Sequence, residues 1–296
     1  MLFPISHTAL SPLGLVFIGV LVGAFGGLFG VGGSFIAGPL LFALGLPMRF
    51  VVGSDLAGLV GTGLVAAKRH RALGNVDVKL ALLMTGGTVA GVEIGARLVQ
   101  RLVRRRMANR LLAPVSAAIF IGVSLFVGIE SAVAIARRRR GGSSEPPALA
   151  LGLRLLRLRP LVSLPVSGIA EVSVWLLLAV GFATGILSGL LGGGGGYLRM
   201  PLLVYLLGVP THVAVGTDLF EVVMSASYGT LSHALKGDVD VIVALALDLG
   251  AVLGARFGTW LVRFIRGPWL RLAFAPLPAV GGAILLYALF HRGGSP

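Results

Sequence analysis

The sequence predicts an all-α, polytopic helical membrane protein. It reads as two homologous five-segment repeats, each a re-entrant hairpin plus three spanning helices, with the second copy inverted relative to the first. Three observations lead there. Of 296 residues, 56% are hydrophobic and 12% charged, with a mean hydropathy of +0.96, whereas soluble domains carry about 25% charged residues. Stretches such as "LGLVFIGVLVGAFGGLFG", "VSAAIFIGVSLFVGIESAVAIA" and "VWLLLAVGFATGILSGLLG" approach or exceed the ~18–20 apolar residues of a bilayer crossing. The chain also repeats itself, and each copy interrupts its own apolar run with clustered glycines, "GVGGSF" (30–35) and "GGGGGYLR" (192–199).

The repeat is read position by position. Gly19, Gly23, Gly27, Gly30, Gly32, Gly33 and Pro39 recur 162 residues later as Gly181, Gly185, Gly189, Gly192, Gly194, Gly195 and Pro201. One inserted residue then moves the offset to 163, at which "GSDL" (53–56) meets "GTDL" (216–219) and "GNVDV" (74–78) meets "GDVDV" (237–241). His70 meets His233, and Gly87, Gly91 and Gly95 meet Gly250, Gly254 and Gly258. A register held through so many small and polar positions marks a duplication, which in a membrane protein points toward a secondary transporter.

In order, the first copy (1–136) reads as segments 13–30, 34–45, 50–69, 78–100 and 108–136. The second (171–296) reads as 173–191, 197–207, 211–235, 239–264 and 270–290. The second segment of each copy covers under about 20 Å at 1.5 Å per residue. A half-length helix after a glycine break is most simply a hairpin that dips in and turns back. With three further spans the crossings are odd in number and the copies are inverted; a hairpin that instead ran on as one span would make them parallel. The glycine triplets 87/91/95 and 250/254/258 are small-xxx-small packing faces. Residues 137–170 form a basic linker: "RRRRGGSSEPP" reads as flexible. "LALGLRLLRLRPL" places Arg154 and Arg157 on one turn against leucines, as in a helix lying on the lipid surface; a disordered connector is the alternative.

The formal charge of +14 comes from arginines clustered between apolar segments. That placement suits anionic lipid head groups and topology setting and excludes nucleic acid as a partner. Under the inverted scheme one side collects fourteen Lys and Arg and the other eight. The positive-inside rule then puts both termini outside the cytoplasm. The N-terminus "MLFPISHTALSPLGLVF" lacks a basic stretch and reads as mature protein. The chain has no cysteine, so no disulfide or thiolate metal site is expected, and no cofactor or metal is implied. Homo-oligomerisation is compatible with the sequence.

A helix break in lipid frees backbone groups that only protein or a watery cavity can satisfy. At the start of the second segment the free N–H groups, with the helix dipole behind them, suit an anion. The expected substrate-binding residues are Gly32, Gly33, Ser34 and Phe35 in the first break and Gly194, Gly195, Gly196, Tyr197 and Arg199 in the second. Ser34 and Tyr197 would add hydroxyl donors and Arg199 a fixed charge; close helix packing is the alternative reading of the glycines. Ser54 and Thr217 read as N-caps with Asp55 and Asp218 in the first turn. The sharper reading of the acids is transfer of a coupling proton, with Glu221 one turn beyond Asp218. His70, beside "KRHR", reads as interfacial. Together with His233 it is a candidate gate or proton group. Glu93 and Arg97 are spaced to pair, and Arg256, at the repeat position of Glu93, would join an ion pair or face the anion path. There is no HExxH motif and no Lys followed by Ser or Thr to complete a phosphate loop. Neither an enzyme nor a nucleotide-driven pump is encoded.

On these residues the chain resembles the sulfite exporter TauE/SafE family of membrane anion permeases. The matching features are the doubled glycine break followed by "GPLLFALGLP" (38–47) or "MPLLVYLLGVP" (200–210), the GSDL/GTDL step, and "HRALGNVD"/"HALKGDVD" (70–77, 233–240). The likeness covers about 12–136 and 173–290. It implies export of a small sulfur oxyanion, sulfite or an organosulfonate such as sulfoacetate, across the bacterial cytoplasmic membrane; with no nucleotide site in the sequence, the energy is expected from an ion gradient or from the substrate's own gradient. An anion channel using the same breaks as a filter is the alternative. A related group of thiosulfate transporters uses cysteines, which are absent here. The half-sites are unequal, with Ser34 and Phe35 where the second copy has Gly196 and Tyr197.

Overall fold

Helices form wherever an apolar run was expected. The computed structural model describes residues 5, 6, 8, 10–139 and 158–292. The first half contains α1 (Pro12–Phe29), α2 (Ser34–Ala43), α3 (Met48–Ala72), α4 (Val78–Arg104) and α5 (Ala108–Arg139). In the second half α6 (Val174–Leu191) precedes α7 (Gly196–Pro201), which widens into a π turn over Leu202–Leu206; then come α8 (Thr211–Ala234), α9 (Val241–Leu261), α10 (Gly267–Phe274) and α11 (Pro276–Arg292). Among the described residues seven helical runs are long and apolar enough to cross a membrane: α1, α3, α4, α5, α6, α9 and α10–α11 together. The protein is multi-pass. Helix α8 has 24 residues but falls outside that set by composition, because it carries Asp218 and Glu221 in its interior.

Two expectations are corrected. The protein is mostly helical rather than all-α: β1 (Leu161–Leu164) and β2 (Ile169–Ser173) pair antiparallel, with Leu161 opposite Ser173 and Leu164 opposite Ile169. The cause is local. "LVSLPVSGIAEVS" alternates β-branched and polar residues about a Pro-Val-Ser-Gly turn, closed by Gly168 N–H donating to the Pro165 carbonyl at 3.1 Å, with Gly168 at φ +67°. This hairpin occupies the end of the stretch read as linker. The expected surface segment around Arg154 and Arg157 lies outside the described residues. Second, Ser54 and Thr217 are not N-caps, since α3 and α8 begin six residues before each at Met48 and Thr211.

The two halves are not separate bodies. Helix α1 packs on α9, and α4 packs on α6. A β-carbon at Gly19, Gly23 or Gly27 would overlap backbone at Leu247, Ala251 or Ala255, and one at Gly250, Gly254 or Gly258 would overlap Val16, Val20 or Ala24. Gly181, Gly185 and Gly189 stand against Met84, Thr88 and Val92 in the same way, and Gly87, Gly91 and Gly95 against Leu178, Phe182 and Ile186. Backbones this close gain packing contact that side chains would prevent. Both pairs run parallel, because the residue numbers rise together. Helices α3 and α8 run antiparallel instead: Gly63 lies beside Leu219 and Val223, and Gly229 beside Leu56. Helices α5 and α11 do the same, with Gly282 beside Ala117 and Gly128 beside Ala275.

The loop before α4 and the loop before α9 are each held by the other half. Ser54 Oγ accepts the Asp240 N–H at 2.8 Å, and Thr217 Oγ1 accepts the Asp77 N–H at 2.9 Å. Gly53 sits against the Asp238 carbonyl and Gly216 against that of Asn75. Asp77 caps α4 by accepting from Leu80 N–H and also takes Ser167 N–H and Oγ–H of the hairpin turn. Asp240 caps α9 through Ile242 and Val243 N–H and takes Ser6 N–H. The second loop keeps one liability. Asp238 is buried, its Oδ2 has no hydrogen-bond partner among the described residues, and burial raises its carboxyl to about 6 against the opposing pull of Arg49 and Lys236. A raised carboxyl contributes stability that is full below its unfolded value and is lost as pH climbs through its folded one. Asp238→Asn, the amide that Asn75 provides in the first copy, is therefore expected to stabilise the protein by about 1–2 kcal/mol above about pH 7 and by nothing near pH 4. Melting curves of both proteins across that range check it.

Candidate functional site

Each break folds the chain back on itself. In the first, Gly30, Gly32 and Gly33 have φ of +81°, +71° and +80°; in the second, Gly192 to Gly195 have +83°, +80°, +65° and +74°. Only glycine enters that region without steric cost. Gly33 is brought against the Val22 carbonyl and Gly195 against that of Thr184, eleven residues back in each case. A continuous helix would separate such residues by about 16 Å. The start of α2 and the start of α7 thus lie beside the helices that precede them.

The two breaks meet. Gly193 faces the Ser34 side chain, and Gly196 faces Val31. Leu59 and Val222 close over Gly32, Val222 also over Gly194, and Val215 over Gly30. All of residues 30–35 and 192–197 are buried, so this conformation is closed. Asp55 lies against Gly192, and Asp218 against Gly196.

Arg199 is the charge at this crossing, and it is 0% exposed. Its Nη1 donates to Asp218 Oδ1 at 2.9 Å and is ion-paired with Glu221 Oε2. Its Nη2 donates to the Gly194 carbonyl at 2.9 Å and its Nε to Thr184 Oγ1 at 3.2 Å. Ser225 Oγ donates to the same Gly194 carbonyl. A guanidinium taken out of water needs such saturation, because burying an ion costs several kcal/mol. Two carboxylates, Asp218 and Glu221, both 0% exposed, share this single cation, while Asp55, 3% exposed, lies against Gly192 of the same break.

Other expected residues sit elsewhere or act differently. Tyr197 uses its hydroxyl on the Leu187 carbonyl at 3.4 Å and packs its ring edge-on to Phe120; Phe35 packs edge-on to Phe274. His70 is not interfacial but fully buried, with Nε2 donating to the Gly27 carbonyl at 3.1 Å; His233 makes the equivalent bond to Gly189 at 3.0 Å. Each ties down a carbonyl near the C-terminal end of α1 or α6, where intrahelical partners run out. Arg256 is exposed, on the face of α9 away from its glycine seam, and its carbonyl accepts from Arg69. Glu93 pairs with Arg97 at 2.7 Å and also binds Ser232 and Lys236. Sequence reasoning passes over Thr184, Ser225 and Val222, since helical Ser, Thr and Val are too common to signal a site.

A family model described as "Sulfite exporter TauE/SafE" matches residues 15–285, nearly the whole helical framework around this crossing. The chain belongs to the TauE/SafE family. This TauE/SafE protein is 27% identical over 252 residues to the probable membrane transporter protein YunE of Bacillus subtilis, covering 82% of this chain and 86% of YunE. It is 24% identical over 275 residues to YdhB of the same organism, also a probable membrane transporter protein, covering 92% and 99%. A probable membrane transporter protein of Xylella fastidiosa is 43% identical over 112 residues, 36% of this chain and 40% of its own. No solved structure matches the chain. The TauE/SafE protein is thus a membrane transporter by family, not an enzyme.

Proposed function

We propose that this protein is a secondary transporter that exports a small sulfur oxyanion, sulfite or an organosulfonate such as sulfoacetate, across a bacterial cytoplasmic membrane. The observation that carries the reading is Arg199, a fully buried guanidinium at the crossing of two helix breaks. Intramembrane charge on this scale is costly and marks a substrate or ion path by default. The substrate class comes from the family and agrees with a cation held where two glycine breaks meet. Two inverted repeats fit the antiparallel course of α3 and α8, which hold corresponding places in the two copies, and the chain reversal at each break. The halves would rock about the crossing in alternating access. The closed packing of both breaks favours this over a standing anion filter. The Lys/Arg bias of the sequence supports both termini lying outside the cytoplasm.

Purified protein in liposomes loaded with sulfite or sulfoacetate is the test. Saturable efflux of at least one of them, well above protein-free vesicles, is expected. If neither moves faster than in empty vesicles, the substrate reading fails; flux that never exceeds the electrochemical gradient and ignores a pH gradient would mean a channel.

A further inference from the structure

Resting on that reading, we infer that Glu221 is an exchangeable partner of Arg199: it takes up a proton as an oxyanion occupies the guanidinium, so that one proton travels with each anion. Two departures from the internal repeat carry this. Arg199 has Ala37 at its repeat position, and Glu221 has Gly58. Asp218, by contrast, repeats Asp55. The residues that break the symmetry lie side by side, ion-paired and both 0% exposed. Arg199 is also the only Lys or Arg buried to this degree among the described residues.

One carboxylate, Asp218, suffices to neutralise Arg199. Glu221 is in excess: it is ion-paired with the same Nη1 that Asp218 already occupies, and its other neighbour is the neutral Thr88 side chain. Glu221 Oε1 and Asp218 Oδ2 have no hydrogen-bond partner among the described residues. Among the described residues the polar groups acting on Glu221 are Arg199 of α7, Asp218 of its own helix and the Thr88 side chain of α4. None but Arg199 is cationic. An oxyanion arriving while Asp218 and Glu221 are both charged would put a third negative centre against one guanidinium, in surroundings where Coulomb repulsion is screened far less than in water. A proton on Glu221 removes that repulsion and frees half of Nη1. When the anion leaves, Glu221 gives up the proton and returns to Arg199. The charge balance closes with no other reactant. A dianion accompanied by one proton still carries one net negative charge outward, which an inside-negative potential drives.

The experiment uses sulfoacetate, whose charge is constant above about pH 6, so that a pH response belongs to the protein. Vesicles hold equal sulfoacetate on both sides, the membrane potential is clamped at zero with potassium and valinomycin, and the outside is made about one pH unit more acid. Wild-type protein is expected to accumulate sulfoacetate inside about tenfold, the ratio that one proton per anion dictates. Glu221→Gln is expected to equilibrate sulfoacetate, and to exchange it across the membrane, without accumulating it. Equal accumulation by both proteins overturns the inference, as does a folded Glu221→Gln that has lost exchange. Should that variant not fold, proton uptake by wild type on sulfoacetate binding in weakly buffered detergent decides: about one proton per anion is expected, and none overturns it. Wild type that equilibrates sulfoacetate but never accumulates it sinks only this inference. Wild type that moves neither sulfoacetate nor sulfite sinks the substrate reading, and this inference with it.

Discussion

Arg199→Ala is expected to abolish efflux and to lower the melting temperature by roughly 6–20 °C. Among the described residues the guanidinium is the only cation against Asp218 and Glu221, all three at 0% exposure. Removing one partner of a buried ion pair costs about 3–5 kcal/mol because the other charge is stranded, and in a chain this size each kcal/mol moves the midpoint by about 2–4 °C. The Gly194 carbonyl, which accepts from Arg199 and Ser225, also loses its stronger donor. Instability alone would silence transport, so a second variant separates the two roles. Arg199→Met combined with Asp218→Asn and Glu221→Gln removes the three ion-paired charges at similar volume, and such replacements are often neutral or stabilising. This triple variant is expected to melt near wild type and still fail to move sulfite or sulfoacetate. A stable triple variant with wild-type efflux would show that Arg199 serves folding only.

Gly33→Ala is expected to be nearly as damaging, for a different reason. Gly33 has φ +80°, and a β-carbon there would overlap the Val22 carbonyl. The first defect costs about 1–2 kcal/mol. The second forces α1 and α2 apart at the point where the chain reverses, and overpacking of this kind adds about 1–3 kcal/mol or more. Gly74→Ala isolates the first defect, since Gly74 has φ +74° and a β-carbon there would meet nothing within 4 Å. Thermal melts in detergent should place Gly74→Ala about 2–8 °C below wild type and Gly33→Ala well below that. Similar losses for both would mean that backbone strain, not the close approach to α1, is what makes glycine necessary in the break.

Much of this arrangement is legible residue by residue. Helix limits follow from apolar length, and the short segments after each break are α2 and α7, as the half-length runs at 34–45 and 197–207 require. The glycine triplets pack, and Glu93 pairs with Arg97, because spacing on one helix fixes which side chains are neighbours. The GSDL and GTDL steps mislead at one position: Ser54 and Thr217 look like caps of their own helices but bind the Asp240 and Asp77 amides of the opposite half. Adjacent sequence suggests a local partner, and nothing in it discloses a partner 186 or 140 residues away. His70 misleads for the same reason. Its neighbours in "KRHR" point to solvent, while its ring turns inward to Gly27.

The sequence by itself determined that the chain crosses a membrane, that its glycine, GSDL/GTDL and histidine motifs recur at a near-constant offset, and that its helices break at glycines, because hydropathy, self-similarity and backbone freedom are properties of residues in order. Only the tertiary structure decided that the two breaks touch, that α1 pairs with α9 and α4 with α6, and that Arg199 is shared between Asp218 and Glu221. Those are choices among long-range contacts, and close backbone approach together with charge burial selects one set of them.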